Sequence, residues 1–409
     1  MKQTMAIKEL SIIILEEMRI ALYSKGTING YAKVFKRLEK LSEIREEAYY
    51  TPEIGRRFIE DSSYANSEGY CHTRYCLHCR CIQFIESYLT DGKVDWTQHF
   101  VLRKLNLTSK EFSDTQVTFW NLMSSMGLKA NTIDGYQRFV HYFLMYLEDK
   151  GYRSFAELKS GDIITFIALV CKEHYQPTSL GSHMPGLRIF LRIHESTAIF
   201  ESELPEHLPK KRDILEVYSD KEYEMVLKYL ESGNVSFRNK AICLIALETG
   251  LRAVDICNLK LGDIDWEHDC IHIIQEKTKK AMNIPLRASI GNAIVDYLLS
   301  ERPASDSEYI FLTSNAPHTP MKAHAGYRKV LLNVVSDAGV EINSRISGTR
   351  ITRHSTASRM LRHGIPLPVI SEALGHGNPN SVMIYLSTED AKLAECTLPL
   401  PEVCHEYEI

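Results

Sequence analysis

The sequence lacks an apolar run long enough to cross a membrane, because the stretch at residues 10–15 falls far short of the roughly 20 residues that a spanning helix needs. Its N-terminus also lacks the apolar core and cleavage site of a signal peptide. We therefore expect a cytoplasmic protein. An excess of one charge is missing too, since 48 basic and 52 acidic residues leave a formal net charge of −4. Any nucleic-acid binding must then depend on local basic clusters, such as residues 209–212 and 277–280.

A disulfide framework is not indicated, because the ten cysteines are scattered or crowded into one stretch. That stretch contains Cys71, His72, Cys76, His78, Cys79 and Cys81. Two interpretations of it stay open. Its Cys-x-x-Cys pair and histidines are compatible with zinc, although the usual distant second ligand pair is absent. Alternatively, the cysteines are small apolar packing residues of a helix. The sequence also lacks a Walker-type phosphate loop and a paired-carboxylate metal site.

A repeated segment organises the first half of the chain. Residues 25–31 (KGTINGY) are similar to residues 130–136 (ANTIDGY), 105 positions later, and each is followed by apolar residues at helical spacing. A chain of 409 residues is too long for one compact core. We therefore predict two helical modules in tandem, at residues 1–105 and 106–205. In the second module, Thr132 is predicted to cap a helix that ends before Gly151, and further helices are predicted to begin near Asp162 and Thr178.

The second half is predicted to form a mixed, mainly helical domain with a small sheet. Residues 206–218 are typical of a linker, and the capping box from Ser219 to Glu222 predicts the first helix of a domain spanning residues 219–395. A second helix is predicted over residues 238–248, ending at Gly250. Short alternating segments at 270–274 and 283–286 predict two strands. Helices are expected from residue 288 onward, and residues 396–409 form a tail.

Three motifs in this domain carry chemistry-bearing residues. They are Thr-Gly-Leu-Arg at 249–252, Arg-Ile-Thr-Arg-His at 350–354, and Leu-Gly-His-Gly-Asn-Pro-Asn-Ser-Val-Met-Ile-Tyr at 374–385. A phosphodiester can be cut without metal if a nucleophile, two fixed cations and a proton donor converge on it. Arginine suits the cationic role because its planar, permanently charged group can hold two phosphate oxygens at once. Asp255, one helical turn after Arg252, is predicted to orient that arginine.

Together these motifs resemble the tyrosine site-specific recombinases, the phage-type integrase family. The resemblance extends over residues 107–395 and is specific only towards the C-terminal end. It implies SAM-like helical core-binding modules followed by an α+β catalytic domain. It further implies that Arg252 and Arg353 clamp the scissile phosphate and that His376 hydrogen-bonds to it. Tyr385, nine residues after His376, would be the nucleophile.

The resemblance also implies a mobile lysine between the two strands that protonates the leaving 5′-hydroxyl. Lys277 is the preferred candidate for this lysine, with Lys279 and Lys280 as alternatives. A primary amine suits the task because its pKa falls readily near other cations. The sequence departs from the family pattern His-x-x-Arg at Arg350, because a guanidinium cannot accept the tyrosine proton. Arg350 can still bind the phosphate, so we expect an active enzyme in which water takes the proton, with His354 structural.

The expected function is that of an integrase of a bacterial mobile element, which cuts and rejoins DNA through a 3′-phosphotyrosyl link without metal, cofactor or ATP. Its expected partner is double-stranded DNA with recombination sites, bound by four protomers that are monomers or weak oligomers off DNA, together with accessory bending or directionality factors. A chromosome-dimer resolvase and a catalytically impaired DNA-binding protein of the same fold are the alternatives. Residues 1–105 could bind separate arm-type DNA sites, lengthen the grip on the core site or mediate assembly, and we predict a DNA role.

Overall fold

The computed structural model describes residues 5–62, 71–96, 107–206, 208, 217–342 and 350–378. Tyr385 and the predicted tail therefore lie outside the described residues. The chain divides into two compact units, Met1–Val101 with Ile214–Ile409, and Leu102–Asp213. The described residues are mainly helical and include one small antiparallel sheet, which confirms the predicted fold class.

Over residues 5–62 and 71–96, the N-terminal part of the first unit forms four helices around one apolar core. They are α1 (Ile7–Ile20), α2 (Lys25–Ile44), α3 (Pro52–Glu60) and α4 (His72–Asp91). Ser24 and Thr51 precede α2 and α3, and their side-chain oxygens accept hydrogen bonds from N–H groups that the first helical turn leaves unpaired. The core includes Leu10, Ile14, Met18, Val34, Phe35, Leu38, Ile54, Phe58, Phe84 and Ile85.

The stretch rich in cysteine and histidine lies on α4, where several of its side chains pack inward. Cys79 and Cys81 are buried. The ring of His78 stacks on Phe58 with 3.9 Å between centroids, and its Nδ1 lies 2.7 Å from the Phe58 carbonyl oxygen. Within the residues that the structure describes, no three His, Cys, Asp or Glu side chains are grouped as they would be around a metal ion. The contacts of Cys79, Cys81 and His78 are those of packing residues.

The second unit has its own core, in which aromatic side chains predominate. Its helices are α5 (Lys110–Ser125), α6 (Ala130–Asp149), α7 (Asp162–Glu173), α8 (Met184–Leu191) and α9 (Glu195–Ala198). The predicted cap at Thr132 is wrong, because the Lys129 carbonyl already accepts the N–H groups of Thr132 and Ile133 and the helix has begun. The helix predicted near Thr178 is a 3₁₀ segment, and the α-helix starts only where Pro185 can occupy its first turn.

In its described residues, the C-terminal part of the first unit contains seven more α-helices. They are α10 (Asp220–Glu231), α11 (Phe237–Thr249), α12 (Ala253–Cys257), α13 (Ala288–Ser300), α14 (Arg328–Asp337), α15 (Ile351–Arg362) and α16 (Leu367–Ala373). The predicted capping box is present at Ser219 and Glu222. Helix α11 is apolar on most of its surface and packs against α13, α14 and α15, so it forms the centre of this core.

The sheet lies between α12 and α13 in the chain. Its antiparallel strands are β1 (Ile264–Asp265), β2 (Cys270–Ile274) and β3 (Ala281–Pro285), in that order. Strand β2 was predicted with these bounds, whereas β3 starts two residues before the predicted position and the two-residue β1 was not predicted. Ile271 pairs with Ile284 and Ile273 with Met282, and all four side chains face the core. Among the described residues, no helix combines the length and apolar character of a membrane span.

Candidate active site

A sharp helix end positions the first arginine. Helix α11 stops at Gly250, whose φ of 63° lies in the left-handed region that favours glycine. A Cβ at this position would lie 2.9 Å from Leu374 Cδ2 and 3.1 Å from Thr356 Cβ, so the close packing also requires glycine. The chain then turns, and Arg252 becomes the residue that precedes α12.

Gln275 holds the Arg252 guanidinium. Arg252 Nη1 donates a hydrogen bond of 2.6 Å to Gln275 Oε1, which also accepts one of 2.8 Å from Thr278 Oγ1. Gln275 Nε2 donates to the Leu374 carbonyl oxygen at 3.0 Å. Gln275 is fully buried directly after β2. It therefore fixes the Arg252 guanidinium from the interior of the protein and connects it, through the Leu374 carbonyl, to the segment after α16. Sequence reasoning missed this residue.

Asp255, which was predicted to orient Arg252, contributes charge rather than a hydrogen bond. Its Oδ2 lies 3.9 Å from Arg252 Nη1, while its Oδ1 accepts a hydrogen bond of 2.8 Å from the Glu276 backbone N–H. The side chain is buried, and burial raises the pKa of its carboxyl, whereas Arg252 and Arg353 act to lower it. The carboxylate thus links α12 to the turn after β2.

The second arginine is held by the ends of two helices. Arg353 lies in the first turn of α15 and is only 6% exposed. Its Nη1 donates to the Gly250 carbonyl oxygen at 3.1 Å and its Nη2 to the Leu374 carbonyl oxygen at 2.6 Å. These carbonyls lie at the C-terminal ends of α11 and α16, where the helix dipole is negative and favours a cation. The contacts fix Arg353 beside the segments that lead to Arg252 and His376.

His376 follows a second left-handed glycine and is partly buried. Gly375 has a φ of 65°, and a Cβ there would come within 2.4 Å of Met282 Sδ, so this segment can approach the sheet only with glycine. Burial, followed by the charges of Arg353 and Arg252, lowers the pKa of His376 to about 4. The imidazole is therefore neutral at pH 7, and the two arginines act on it directly.

Arg350 and His354 lie on the same helical turn as Arg353. Arg350 is exposed and immediately precedes α15. Burial, with the charges of Arg350 and then Arg353, lowers the pKa of His354 to about 4, so this imidazole is also neutral at pH 7. Arg350 therefore brings a third cation to this end of the helix.

Lys277 is exposed in the turn between β2 and β3. The competing Lys279 forms an ion pair with Glu276, with Nζ and Oε2 2.8 Å apart. Among the described residues, no ion pair involves Lys277. The turn is close to the segment after His376, because a Cβ on Gly377 would lie 3.7 Å from Thr278 Cγ2. The structure thus brings Arg252, Arg353 and His376 together with this turn beside them, while Tyr385 lies outside the described residues.

Comparison with known proteins shows the family of this chain. Residues 216–392 match the phage integrase family. The chain is 36% identical over 169 residues to a Sinorhizobium fredii protein provisionally named integrase/recombinase y4gC, covering 41% of this chain and 85% of that protein. It is 26% identical over 286 residues to the tyrosine recombinase XerD of Listeria innocua, covering 67% of this chain and 93% of that protein. The chain belongs to the tyrosine site-specific recombinases.

A solved structure shows the same fold. The Tn1549 transposon integrase in complex with transposon right end DNA superimposes with a TM-score of 0.52 at 16% sequence identity. The match covers 69% of this chain and 99% of that one.

Proposed function

We propose that this tyrosine recombinase cuts and rejoins double-stranded DNA at specific sites through a covalent 3′-phosphotyrosyl intermediate. The observation that carries the proposal is the convergence of Arg252, Arg353 and His376 at the ends of α11, α15 and α16. Two permanently charged groups and a neutral hydrogen-bonding ring suit the charge that develops on a phosphate during transfer. We assign catalysis to residues 219–395 and the core-binding module to residues 106–205.

In the proposed reaction, the Tyr385 oxygen attacks the scissile phosphorus. The bond from phosphorus to the 5′-oxygen breaks as the bond to tyrosine forms, so the bond energy is retained. Lys277 gives a proton to the leaving 5′-oxygen, and water takes the tyrosine proton. Arg252, Arg353 and His376 hold the non-bridging oxygens. The 5′-hydroxyl of a partner strand then reverses the step, and neither an oxidation nor a nucleoside triphosphate is needed to balance it.

Arg350 has a binding role in this scheme. Its guanidinium cannot act as a base, but it is exposed and lies one helical turn from Arg353. We therefore infer that it adds a contact to the phosphate or to its neighbour on the strand. This assignment leaves the chain catalytically competent without the histidine that the family places at this position.

The biological setting that we propose is a bacterial mobile element. The fold similarity to a transposon integrase bound to transposon end DNA supports this choice. Two sequential strand exchanges between two sites call for four protomers, assembled on DNA from monomers or weak oligomers, together with factors that bend DNA or set direction. Such an enzyme would act in the cytoplasm, at the nucleoid.

Trapping of the covalent intermediate tests the proposal. Fragments of the DNA that flanks the gene would serve as candidate sites, and a nicked version of the bound fragment prevents religation. Wild-type protein should accumulate a protein–DNA adduct that resists denaturant, and Tyr385→Phe should abolish it without loss of DNA binding. Tyr229→Phe is the matched control, because Tyr229 is a partly buried residue of α10 outside the site, and the substitution removes a weak hydrogen bond of 3.4 Å from its hydroxyl to Asp337.

Two outcomes would decide against the proposal. If the wild-type protein binds a fragment tightly but yields no adduct, the chain is a DNA-binding protein without cleavage activity. If Tyr385→Phe still forms the adduct, another residue is the nucleophile. Relaxation of a supercoiled plasmid that carries the fragment provides an independent readout.

A further inference from the structure

The first two helices of one module correspond in position to the first two helices of the other. Helices α1 and α5 end at Ile20 and Ser125, which are 105 residues apart. Helices α2 and α6 both contain 20 residues, and both their starts and their ends are separated by 105 residues. The sequence similarity between residues 25–31 and 130–136 is therefore part of a longer structural repeat.

The buried positions of these helices follow the same offset. The corresponding core residues are Ile7 and Phe112, Leu10 and Thr115, Ile14 and Phe119, Met18 and Met123, Val34 and Phe139, Phe35 and Val140, Leu38 and Phe143, and Ser42 and Leu147. The opposite sides of the two helices differ, because Gly135 and Tyr142 of α6 pack against His183 and His174, whereas the corresponding Gly30 and Arg37 of α2 are exposed.

The outward face of α2 carries a line of residues that we call the α2 ridge: Gly26, Gly30, Lys33, Arg37 and Lys40. Their spacing of four, three, four and three residues keeps them on one side of the helix, and all five are exposed. Within the residues that the structure describes, none of the three cations of the ridge takes part in an ion pair. The ridge therefore combines two positions without side chains and three cations that are available to a partner.

Charge distinguishes α2 from its counterpart. Helix α2 contains five basic and two acidic residues, a formal charge of +3, whereas α6 contains one basic and three acidic residues, a formal charge of −2. Lys33 corresponds to Arg138, so one ridge cation is present in both copies. Lys33 and Lys40 are seven residues apart, which is about 10 Å along the helix. That length equals about three base-pair steps of duplex DNA.

The second glycine of the ridge, Gly30, is not required by packing within the described residues. A Cβ at Gly30 would meet no atom within 4 Å, although glycine inside a helix costs about 1 kcal/mol relative to alanine. Gly135 occupies the corresponding position of α6, but a Cβ there would lie 3.6 Å from His183 Cε1, so the two glycines have different surroundings. A glycine at an open, exposed position of a helix lets another molecule approach the backbone closely. The neighbouring cations favour a partner that is anionic.

We propose that the α2 ridge binds the phosphate backbone of duplex DNA, which makes residues 5–96 a second DNA-binding module of this recombinase. The two glycines let a sugar–phosphate strand approach the helix near its N-terminal end, and Lys33, Arg37 and Lys40 neutralise successive phosphates. This contact is separate from the site of Arg252 and Arg353 and needs no cleavage. It extends the length of duplex that one protomer covers.

Matched double substitutions in the full-length protein test the proposal. Lys33→Gln/Lys40→Gln removes two ridge cations, and Lys8→Gln/Lys93→Gln removes two exposed lysines of the same module that lie outside α2. The probe is a fluorescein-labelled 60-base-pair duplex of arbitrary sequence, titrated at several salt concentrations. Loss of two phosphate contacts should reduce the slope of log affinity against log salt by about 1.8 and weaken binding about ten- to sixtyfold at 0.1 M salt. The control pair should reproduce the wild-type slope.

Equal slopes and affinities for the two double variants would overturn the proposal. The proposal would also be overturned if an acidic polypeptide, poly-glutamate, displaced the α2-dependent binding as effectively as unlabelled duplex does. Covalent adduct formation at saturating protein separates this proposal from the proposed function. Both variants should still form the adduct, whereas absence of the adduct in the wild type would refute the cleavage mechanism and leave the salt dependence interpretable.

A glycine substitution provides a second, independent test. Because the space beside Gly30 is open, Gly30→Ala should leave the thermal midpoint equal or higher. If a DNA strand approaches the helix at this point, the same variant should bind the duplex several-fold more weakly. A more stable protein with lower affinity supports the proposal, whereas unchanged affinity counts against the close approach of DNA to the ridge.

Discussion

Replacement of Gln275 by leucine keeps a side chain of similar size but removes three hydrogen bonds from the centre of the site. The lost partners are Arg252 Nη1 at 2.6 Å, Thr278 Oγ1 at 2.8 Å and the Leu374 carbonyl oxygen at 3.0 Å. The Leu374 carbonyl keeps its bond from Arg353, and Arg252 is 19% exposed and can reach water. The cost to folding should therefore be about 1–2 kcal/mol, well below the sum of three buried bonds.

Gln275→Leu should slow DNA cleavage more than it weakens DNA binding. Without Gln275, the Arg252 guanidinium loses a charge-assisted hydrogen bond worth about 1.5–3 kcal/mol, and with it the fixed orientation that a transferring phosphate requires. A loss of this size corresponds to a rate reduction of about 10- to 100-fold. The assay is single-turnover adduct formation on a nicked duplex at saturating protein, with affinity measured separately by fluorescence anisotropy. Affinity should change by less than the rate does.

A double-mutant cycle shows whether Gln275 acts through Arg252. If it does, Gln275→Leu should slow cleavage in the wild type but add little in an Arg252→Lys background, and the coupling energy should be about 1–3 kcal/mol. Gln275→Glu is a useful companion because it keeps an acceptor for Arg252 but removes the donor to Leu374 and adds negative charge. An unchanged rate in Gln275→Leu, or fully additive effects in the cycle, would refute the positioning role.

Three further predictions follow from the geometry. Gly250→Ala should lower the free energy of unfolding by about 2 kcal/mol or more, because it combines a left-handed φ with a Cβ contact of 2.9 Å; a urea midpoint within error of wild type would contradict this. The fold favours the neutral forms of His354 and His376, because their pKa values are lowered to about 4. Their contribution to the free energy of unfolding should therefore be fully present above pH 6.5 and should be lost as the pH falls from 6.5 to 4. A His354→Gln/His376→Gln variant should lose part of that decline in urea unfolding, and an unaltered pH dependence would argue against it. Arg350→His should introduce a proton acceptor with an ordinary pKa of about 6.5. The rate of adduct formation should then show a new inflection near that pH. A pH profile without this inflection would indicate that residue 350 does not face the reacting groups.

Local signals in the sequence predicted the elements that depend on local interactions. The capping box at Ser219 and Glu222 starts α10, and Gly250 ends α11, because caps and left-handed glycines act within a few residues. Thr132 failed as a cap because a threonine in the first helical turn has the same composition signal as one that precedes it.

The contacts that build the site could not be predicted in this way, because they join distant parts of the chain. Gln275 and Leu374 are 99 residues apart, and Arg353 reaches Gly250 across 103 residues. One sequence signal for Gln275 did exist. Continuing the inward alternation of Ile271 and Ile273 along β2 places residue 275 on the buried side, where a glutamine needs polar partners. A polar residue at an inward strand position next to a basic turn was therefore a detectable candidate.

The charge balance of the site gives a reason for its affinity for an anion. Arg252 and Arg353 are both held within the protein, and the Asp255 carboxyl, whose Oδ2 lies 3.9 Å from Arg252 Nη1, has a pKa that burial raises. Backbone carbonyls and an amide satisfy much of the hydrogen bonding of these arginines, and such groups are dipoles that carry no net charge. Burial lowers the pKa of His376 most, and the charges of Arg353 and Arg252 lower it further because they oppose another positive charge. A bound phosphodiester would place negative charge beside Arg252, Arg353 and His376, so DNA binding should raise the pKa of His376 and take up protons between pH 4 and 6.5.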